Sequence, residues 1–179
     1  MRFLMDRSPT TFLVLIILAV LGIGYFVQQK THPESGPTSD PAVLASDFGK
    51  VEAAITAAKG KVVLVDCWAT WCGPCVASFP KLVEKDEKYR SKGLTVISVS
   101  LDDPSSSSEV QDFLKKQNAT FTNLQPTFDA ATQKGLEKRL GYRGGIPHAA
   151  LFNRQGERVW TGHPASPELE AKIETELNN

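Results

Sequence analysis

The 179-residue chain has the size of one domain with an appendage, and its 41% hydrophobic and 22% charged residues are ordinary for a folded protein. Its 20 lysines and arginines balance 20 aspartates and glutamates. No net field is therefore available to attract nucleic acid, and we predict no nucleic-acid partner. The 3 cysteines are too few for a disulfide-stapled scaffold or for a four-cysteine zinc site.

An uncharged apolar run, Phe12–Val27, follows the basic residues Arg2 and Arg7 near the N-terminus. Counted from Thr11, the segment Thr11–Val27 just meets the roughly 17 residues that a membrane-spanning helix needs. We predict that residues 1–30 form an uncleaved signal anchor, a single transmembrane helix. A cleaved signal peptide is the alternative, although no Ala-x-Ala site follows the run. Basic residues ahead of the run keep the N-terminus cytoplasmic, so we expect the rest of the chain on the extracytoplasmic, periplasmic side of the cell membrane.

Residues 31–42 are rich in Pro, Ser and Gly and lack apolar periodicity, which is typical of a flexible linker. A folded domain is predicted over residues 43–179. Its first element is a helix capped by Ser46 or Asp47 and ended by Gly60, because apolar residues recur at helical spacing between them.

The rest of the domain alternates strands with helices. They are predicted at residues 61–68 (a strand buried on both faces), 74–89 (a helix with a kink at Pro80), 94–101 (strand), 108–118 (a helix opened by a Ser108–Gln111 capping box), 120–124 (strand), 132–140 (helix), 148–152 and 157–161 (hairpin), and from Ser166 onward (helix). This order predicts an α/β fold with a central mixed sheet covered by helices on both faces.

Two cysteines lie in the segment Trp71-Cys72-Gly73-Pro74-Cys75, between a predicted buried strand and a predicted helix. Cys72 would precede the first helical turn, where free N–H groups and the helix dipole stabilise a thiolate. Cys75 would lie one turn further on the same face, close enough to attack a mixed disulfide formed at Cys72. Pro74 suits the first turn because it lacks an N–H. The pattern predicts redox activity.

A Cys-x-x-Cys pair is also typical of half a zinc site or of a structural disulfide. No second such pair occurs, and the three histidines have no ligand-like spacing. A haem attachment site would need a histidine at position 76, where valine stands.

The segment from Val65 to Cys75, with Pro80 beyond it, resembles the active-site segment of the thioredoxin family. Arg143-Gly-Gly-Ile146-Pro147 resembles the second motif of that family, which ends in a cis-proline facing the cysteines. The resemblance covers roughly residues 43–178, and the apolar N-terminal run points to the membrane-tethered TlpA/ResA-like branch. It implies a thioredoxin-like fold, no cofactor beyond a redox-active Cys72–Cys75 disulfide, and reduction of protein disulfides outside the cytoplasm, often in cytochrome c maturation.

The resemblance also implies roles for single residues. Asp66, an acid in an apolar strand, would relay a proton for Cys75, its pKa raised by burial; a hydrogen-bonded structural aspartate is the alternative. Ile146 and Pro147 would present a cis peptide whose backbone pairs with an extended substrate, where an ordinary trans turn is the alternative. The substrate-binding surface would be completed by the tip of the first motif, namely Trp71, Gly73 and Pro74.

Four residues depart from the family pattern, including Val76, which replaces a common basic residue beside the second cysteine of the pair. Cys67 replaces a phenylalanine and is predicted to be an inert buried thiol, with a regulatory thiol as the alternative. Ser98 stands where cytoplasmic thioredoxins carry a lysine near the aspartate, which puts the strength of the proton relay in question. His148 replaces a threonine after Pro147.

A second function, a copper-binding chaperone on the same fold, would use the two cysteines and His148. Such chaperones space their cysteines four apart, whereas the Gly-Pro insert in this chain suits a disulfide. The Gly-Pro insert also resembles reducing members of the family, so we predict a reductant that receives electrons from a membrane protein.

Overall fold

The structure, a computed structural model, describes residues 41–179. The anchor predicted at residues 1–30 and nearly all of the linker predicted at 31–42 lie outside the described residues. Within residues 41–179, no helix has the length and apolar character needed to cross a membrane.

Six strands and five α-helices make up the described domain. The strands are β1 (Val43–Ser46), β2 (Val62–Trp68), β3 (Leu94–Ser100), β4 (Thr122–Pro126), β5 (His148–Phe152) and β6 (Arg158–Gly162). The helices are α1 (Phe48–Ala57), α2 (Gly73–Tyr89), α3 (Ser107–Lys116), α4 (Ala130–Leu140) and α5 (Pro167–Asn178), with short 3₁₀ turns at Arg90–Lys92 and Pro104–Ser106.

The strands form one mixed sheet in the order β1-β4-β3-β2-β5-β6. Neighbours from β1 to β2 run parallel, and β5 and β6 are antiparallel to their neighbours. This is the thioredoxin-like α/β fold with a mixed central sheet that the sequence predicts. Because the parallel strands β2 and β3 end at the same edge of the sheet, the residues that follow them meet there.

Strand β2 is buried along its whole length because helices cover both faces of the sheet. Its alternate residues Leu64 and Trp68 join one apolar layer, which also contains residues of α2 and the pair Cys72 and Cys75. Its other residues, such as Val65, join the opposite layer with residues of α1 and α4. We call these the dithiol layer and the opposite layer.

Local capping explains where several helices begin and end. The Asp47 side chain accepts a hydrogen bond from the amide of Lys50 at 2.9 Å, which fixes the start of α1. The carboxylate of Asp129 does the same for α4, at 2.7 Å from the amide of Thr132. That helix ends at Leu140 and is capped by Gly141, whose φ of 69° lies in the left-handed region that glycine adopts readily.

Two sequence expectations fail around α3. The Ser108–Gln111 capping box is wrong, because the helix begins at Ser107 and its N-cap residue makes no side-chain bond. Gln111 instead accepts a hydrogen bond from the amide of Val43 at 2.8 Å and donates one to the carbonyl of Pro41. These bonds hold β1 at the sheet edge, a strand that apolar patterning does not predict.

Candidate active site

Cys72 and Cys75 form a disulfide at the start of α2, with 5.2 Å between their Cα atoms. Cys72 is the N-cap residue of the helix, and its sulfur accepts a hydrogen bond from the amide of Cys75 at 3.3 Å. Gly73 and Pro74 fill the first helical positions, where the missing N–H of proline costs nothing. The helix then continues without interruption through Pro80.

The two sulfurs differ in their access to a partner. Both residues are buried in the bridged form, and Cys72, at 6% exposed, is the more accessible of the two, with Cys75 at 2%. In the reduced protein, the Cys72 thiolate would keep its position against the helix N-terminus, where amide groups and the helix dipole favour negative charge. Trp71, which is 68% exposed, stands beside it on the surface.

A buried carboxylate holds the chain just before the cysteines. Asp102, at the end of β3, accepts hydrogen bonds from the amide of Thr70 at 3.0 Å and from the hydroxyl groups of Thr70 and Ser100. Asp102 is 1% exposed. Since Thr70 lies two positions before Cys72, these bonds fix the approach of the chain to the helix N-terminus. Sequence reasoning missed Asp102; an acid directly after a buried parallel strand is the signal that could have identified it.

Asp66 is buried in β2 and its side chain faces the dithiol layer, as expected from its alternation with Leu64 and Trp68. Its Oδ1 atom has no hydrogen-bond partner among the described residues, and neither has Nε1 of Trp68. Burial raises the pKa of Asp66 to about 8. An acid with that pKa is mostly protonated at neutral pH, and its minor ionised fraction is able to accept a proton from a thiol.

Polar residues continue across the sheet from Asp66. Ser98 is its register neighbour on β3, and Asn123 is the register neighbour of Ser98 on β4. The Ser98 hydroxyl donates to Oδ1 of Asn123 at 2.7 Å, and the Asn123 amide donates to the carbonyls of Ala119 and Phe121. The register partner of Asp66 on β3 is therefore a neutral hydroxyl rather than a lysine.

The second motif forms the loop between α4 and β5. Its Ile146–Pro147 peptide bond is cis, as the resemblance implies. Ile146 is partly buried and packs against both apolar layers, including the layer that contains the disulfide. Gly144 has a φ of 85°, and Gly145 has open space around the position of a Cβ atom. The loop therefore offers an unobstructed backbone to a partner.

His148, at the end of this loop, is held by one hydrogen-bond contact and one aromatic contact. Its Nε2 atom is 2.9 Å from the carbonyl oxygen of Leu140, the last residue of α4, and its ring meets Tyr142 edge-on at 5.8 Å. Burial lowers the pKa of His148, and the charge of Arg158 acts in the same direction, although the Leu140 carbonyl opposes both. The bond to Leu140 engages one of the two ring nitrogens of His148.

Cys67 is a free cysteine, fully buried, and belongs to the opposite layer. Burial raises its thiol pKa, and the nearby charge of Asp66 raises it further. Such a thiol is a poor nucleophile because the thiolate is the reactive form. Within residues 41–179, no cluster of three or more His, Cys, Asp or Glu side chains is arranged to hold a metal ion.

A thioredoxin-like fold with a Cys-x-x-Cys disulfide at the N-terminus of a helix defines a class of protein, the thiol–disulfide oxidoreductases. The redoxin family profile matches residues 37–177. Thiol:disulfide interchange protein HelX of Rhodobacter capsulatus is 32% identical over 158 residues, which cover 83% of this chain and 83% of that protein. Thiol-disulfide oxidoreductase ResA of Geobacillus thermodenitrificans is 32% identical over 170 residues, which cover 92% of each.

A crystal structure of a protein described as thiol:disulfide interchange protein DsbE, from Chlorobium tepidum, superimposes with a TM-score of 0.56 at 32% identity. The superposition covers 69% of this chain and 84% of the Chlorobium tepidum chain. The chain belongs to the redoxin family, as a TlpA/ResA-like member of the thioredoxin superfamily. Its activity is protein thiol–disulfide exchange.

Proposed function

We propose that the protein is a membrane-anchored reductant that uses the Cys72–Cys75 pair to reduce protein disulfides outside the cytoplasm. The observation that carries this proposal is the bridged pair itself, with Cys72 capping α2 and the Cys75 amide directed at its sulfur. The relatives named as interchange proteins and oxidoreductases support exchange with protein thiols.

The cycle starts from the reduced pair. The Cys72 thiolate attacks one sulfur of a client disulfide, the client S–S bond breaks, and the departing client thiolate takes up a proton. Cys75 then loses its proton and attacks the Cys72 sulfur, which releases the second client thiol and leaves the Cys72–Cys75 bridge. Two electrons pass from the pair to the client.

Asp66 serves the second step as proton acceptor. It lies in the same layer as Cys75, its Oδ1 atom makes no competing hydrogen bond within residues 41–179, and its pKa of about 8 lies close to that of a thiol. The same group returns the proton when the bridge is reduced again. No cofactor is needed beyond the two cysteines.

Substrate binding is assigned to the surface around the pair. Trp71, Gly73 and Pro74 are exposed beside Cys72, and the loop with the Ile146–Pro147 peptide adds an open backbone for an extended client segment. In this scheme the client pairs with the loop backbone while its cysteine meets Cys72.

The anchoring rests on the sequence of residues 1–30, with residues 31–42 as linker and residues 43–179 as the catalytic domain on the periplasmic side. In that compartment the Cys72–Cys75 bridge must be reduced again after each cycle, so a membrane protein is assigned as its electron donor. Cytochrome c maturation is a pathway in which this reduction would be used.

The test is the reduction potential of the pair in the full-length chain. The protein is equilibrated with dithiothreitol buffers, quenched in acid, and alkylated to count free thiols. We expect a potential near the thioredoxin value of about −270 mV. A value near about −120 mV, that of a strong oxidant, would contradict the reductant assignment.

A further inference from the structure

A surface cleft of about 470 Å³ opens beside the loop that carries the cis peptide. Three elements form it: helix α4, the following loop and strand β6. Its lining residues are Gln133, Glu137, Gly141, Tyr142, Arg143 and Arg158. Two guanidinium groups and one carboxylate are thus the charged groups of the cleft.

The first guanidinium is held in place by the end of α4. Nη1 of Arg158 donates hydrogen bonds to the carbonyl oxygens of Lys138 at 3.2 Å and Arg139 at 2.9 Å. The guanidinium also lies against Gly141, where a Cβ atom would be 3.3 Å from its Cζ. Its Nε and Nη2 atoms make no hydrogen bond with any residue of 41–179. A fixed guanidinium with unused donors binds a carboxylate at little entropic cost.

The second guanidinium stands closer to the cis peptide. Arg143 is exposed and makes no hydrogen bond or ion pair within the described part of the chain. Three residue steps separate it from Ile146, so the two Cα atoms lie at most about 11 Å apart. An extended client that pairs with the loop at Ile146 would cover that distance with about three residues.

The remaining charges leave the cleft positive. Glu137 is its one carboxylate, and its Oε1 accepts a hydrogen bond from the Gln133 amide at 3.1 Å. The charge of Arg158 also contributes to lowering the pKa of His148, the residue directly after the cis-proline.

We propose that this cleft binds an acidic side chain of the client, a few residues from the client cysteine that meets Cys72. Arginine pairs with carboxylates through two parallel hydrogen bonds, and exposed charges of this kind act mainly on association and selectivity. The occupant is assigned to the client rather than to a free anion because the cleft adjoins the backbone that pairs with the client. The inference rests on the proposed exchange function.

The test compares the rates at which peptides oxidise the reduced full-length chain. Each short peptide contains one cysteine in a mixed disulfide with mercaptoethanol, and carries aspartate, asparagine or lysine on both sides at about two to four positions from it. Reaction is stopped in acid and followed by alkylation and mass spectrometry. We expect the aspartate peptide to react about three- to tenfold faster than the asparagine peptide at low salt, and this ratio to fall toward one in ~1 M NaCl.

Variants identify the residues responsible. Arg143→Gln should reduce the aspartate preference to below about twofold, and Arg143→Glu should invert it in favour of lysine. Lys61→Gln is the matched control, because it removes an exposed positive charge at the start of β2, the end opposite the cysteines. It should retain the preference. A structural defect at Arg143 would slow all peptides equally and would not reverse their order.

Two results separate the inference from the function on which it rests. Failure of the wild-type chain to react with the neutral hydroxyethyl disulfide would overturn the exchange function of the pair. Normal reaction with that compound, but equal rates for aspartate and asparagine peptides, would overturn the acidic subsite alone. An aspartate preference undiminished in Arg143→Gln would also overturn it.

Discussion

Two adjacent residues of β2, Asp66 and Cys67, are both buried, at 3% and 0% exposed, on opposite faces of the sheet. Burial raises the pKa of both. Asp66 faces the layer that contains Cys72 and Cys75, together with polar neighbours on β3 and β4, whereas Cys67 faces an apolar layer of valines and leucines. Burial alone therefore does not make a titratable group functional, and the face of the sheet decides what the group can reach.

The largest expected effect tests the two kinds of cysteine. Cys72→Ser should lower the rate of insulin reduction by at least about a thousandfold, because the attacking sulfur is lost. Cys75→Ser should trap the client as a mixed disulfide on Cys72, visible as a mass increase that dithiothreitol removes.

Cys67→Ala is the matched control. It should retain the wild-type rate and lose only about 1 kcal/mol of unfolding free energy, since a small buried group is removed. Loss of activity in this variant, with the fold intact, would show that the opposite layer takes part in the chemistry and would remove the distinction between the layers.

The next effect concerns the proton. Asp66→Asn should slow resolution of the mixed disulfide by roughly 10- to 1,000-fold at pH 7, because general-base catalysis typically contributes about 10²- to 10⁴-fold and only about a tenth of Asp66 is ionised at that pH. Attack by Cys72 should change much less. Rapid-quench measurement of mixed disulfide and released client distinguishes the two steps. Equal slowing of both would indicate a structural role for Asp66.

A third effect appears in stability. Asp66 has a pKa of about 8 in the folded protein and near 3.8 when unfolded, so the folded state holds one more proton between those values. The free energy of unfolding should therefore fall as pH rises through that range, by roughly 1.4 kcal/mol per pH unit from this group. Above about pH 8 the decline should cease. The oxidised protein is the suitable sample because its bridged cysteines do not titrate.

As pH rises, His148 changes the free energy of unfolding in the opposite direction to Asp66. Its contribution must therefore be separated from that of Asp66. Its pKa is lowered in the folded protein, so its contribution to stability is present above about pH 6.5 and is lost as pH falls through the folded pKa. Urea unfolding of wild type and Asp66→Asn at each pH isolates the aspartate, since His148 is common to both. At pH 7 the variant should be more stable by roughly 4 kcal/mol. Parallel pH profiles would contradict the raised pKa.

The comparison of layers also explains what the sequence predicts well. The strands β2 and β3, helix α2 and the cysteine pair are marked by local features, namely continuous apolar runs, a capping position and a proline in the first turn. The paired motifs around Cys72 and Pro147 then identify the family. These signals are local, so they do not depend on knowing the fold.

The missed features depend on contacts between distant residues. Strand β1 is short, partly exposed and held by Gln111, 68 positions away. Asp102 acquires its role only because the ends of β2 and β3 meet, which brings it to Thr70 across 32 positions. The positive cleft likewise joins Arg143 to a residue of β6. Local sequence patterns do not predict these long-range contacts, because the contacts follow from strand order and register.

The smallest expected effect concerns Ser98 and Asn123, the polar residues that continue across the sheet from Asp66. Ser98 lies one strand spacing, about 4.8 Å, from Asp66 and donates its hydroxyl to Asn123 in the structure. When Asp66 ionises, rotation of that hydroxyl toward the carboxylate would stabilise the charge. Ser98→Ala removes this donor, so the pH at which resolution of the mixed disulfide is half-maximal should rise by about half a unit and the rate at pH 7 should fall about two- to threefold. Ser98→Thr keeps a hydroxyl and should restore the wild-type profile. A profile unchanged by alanine would assign Ser98 to packing alone, and the difference between the two faces of β2 would then reside in Asp66 and the cysteines.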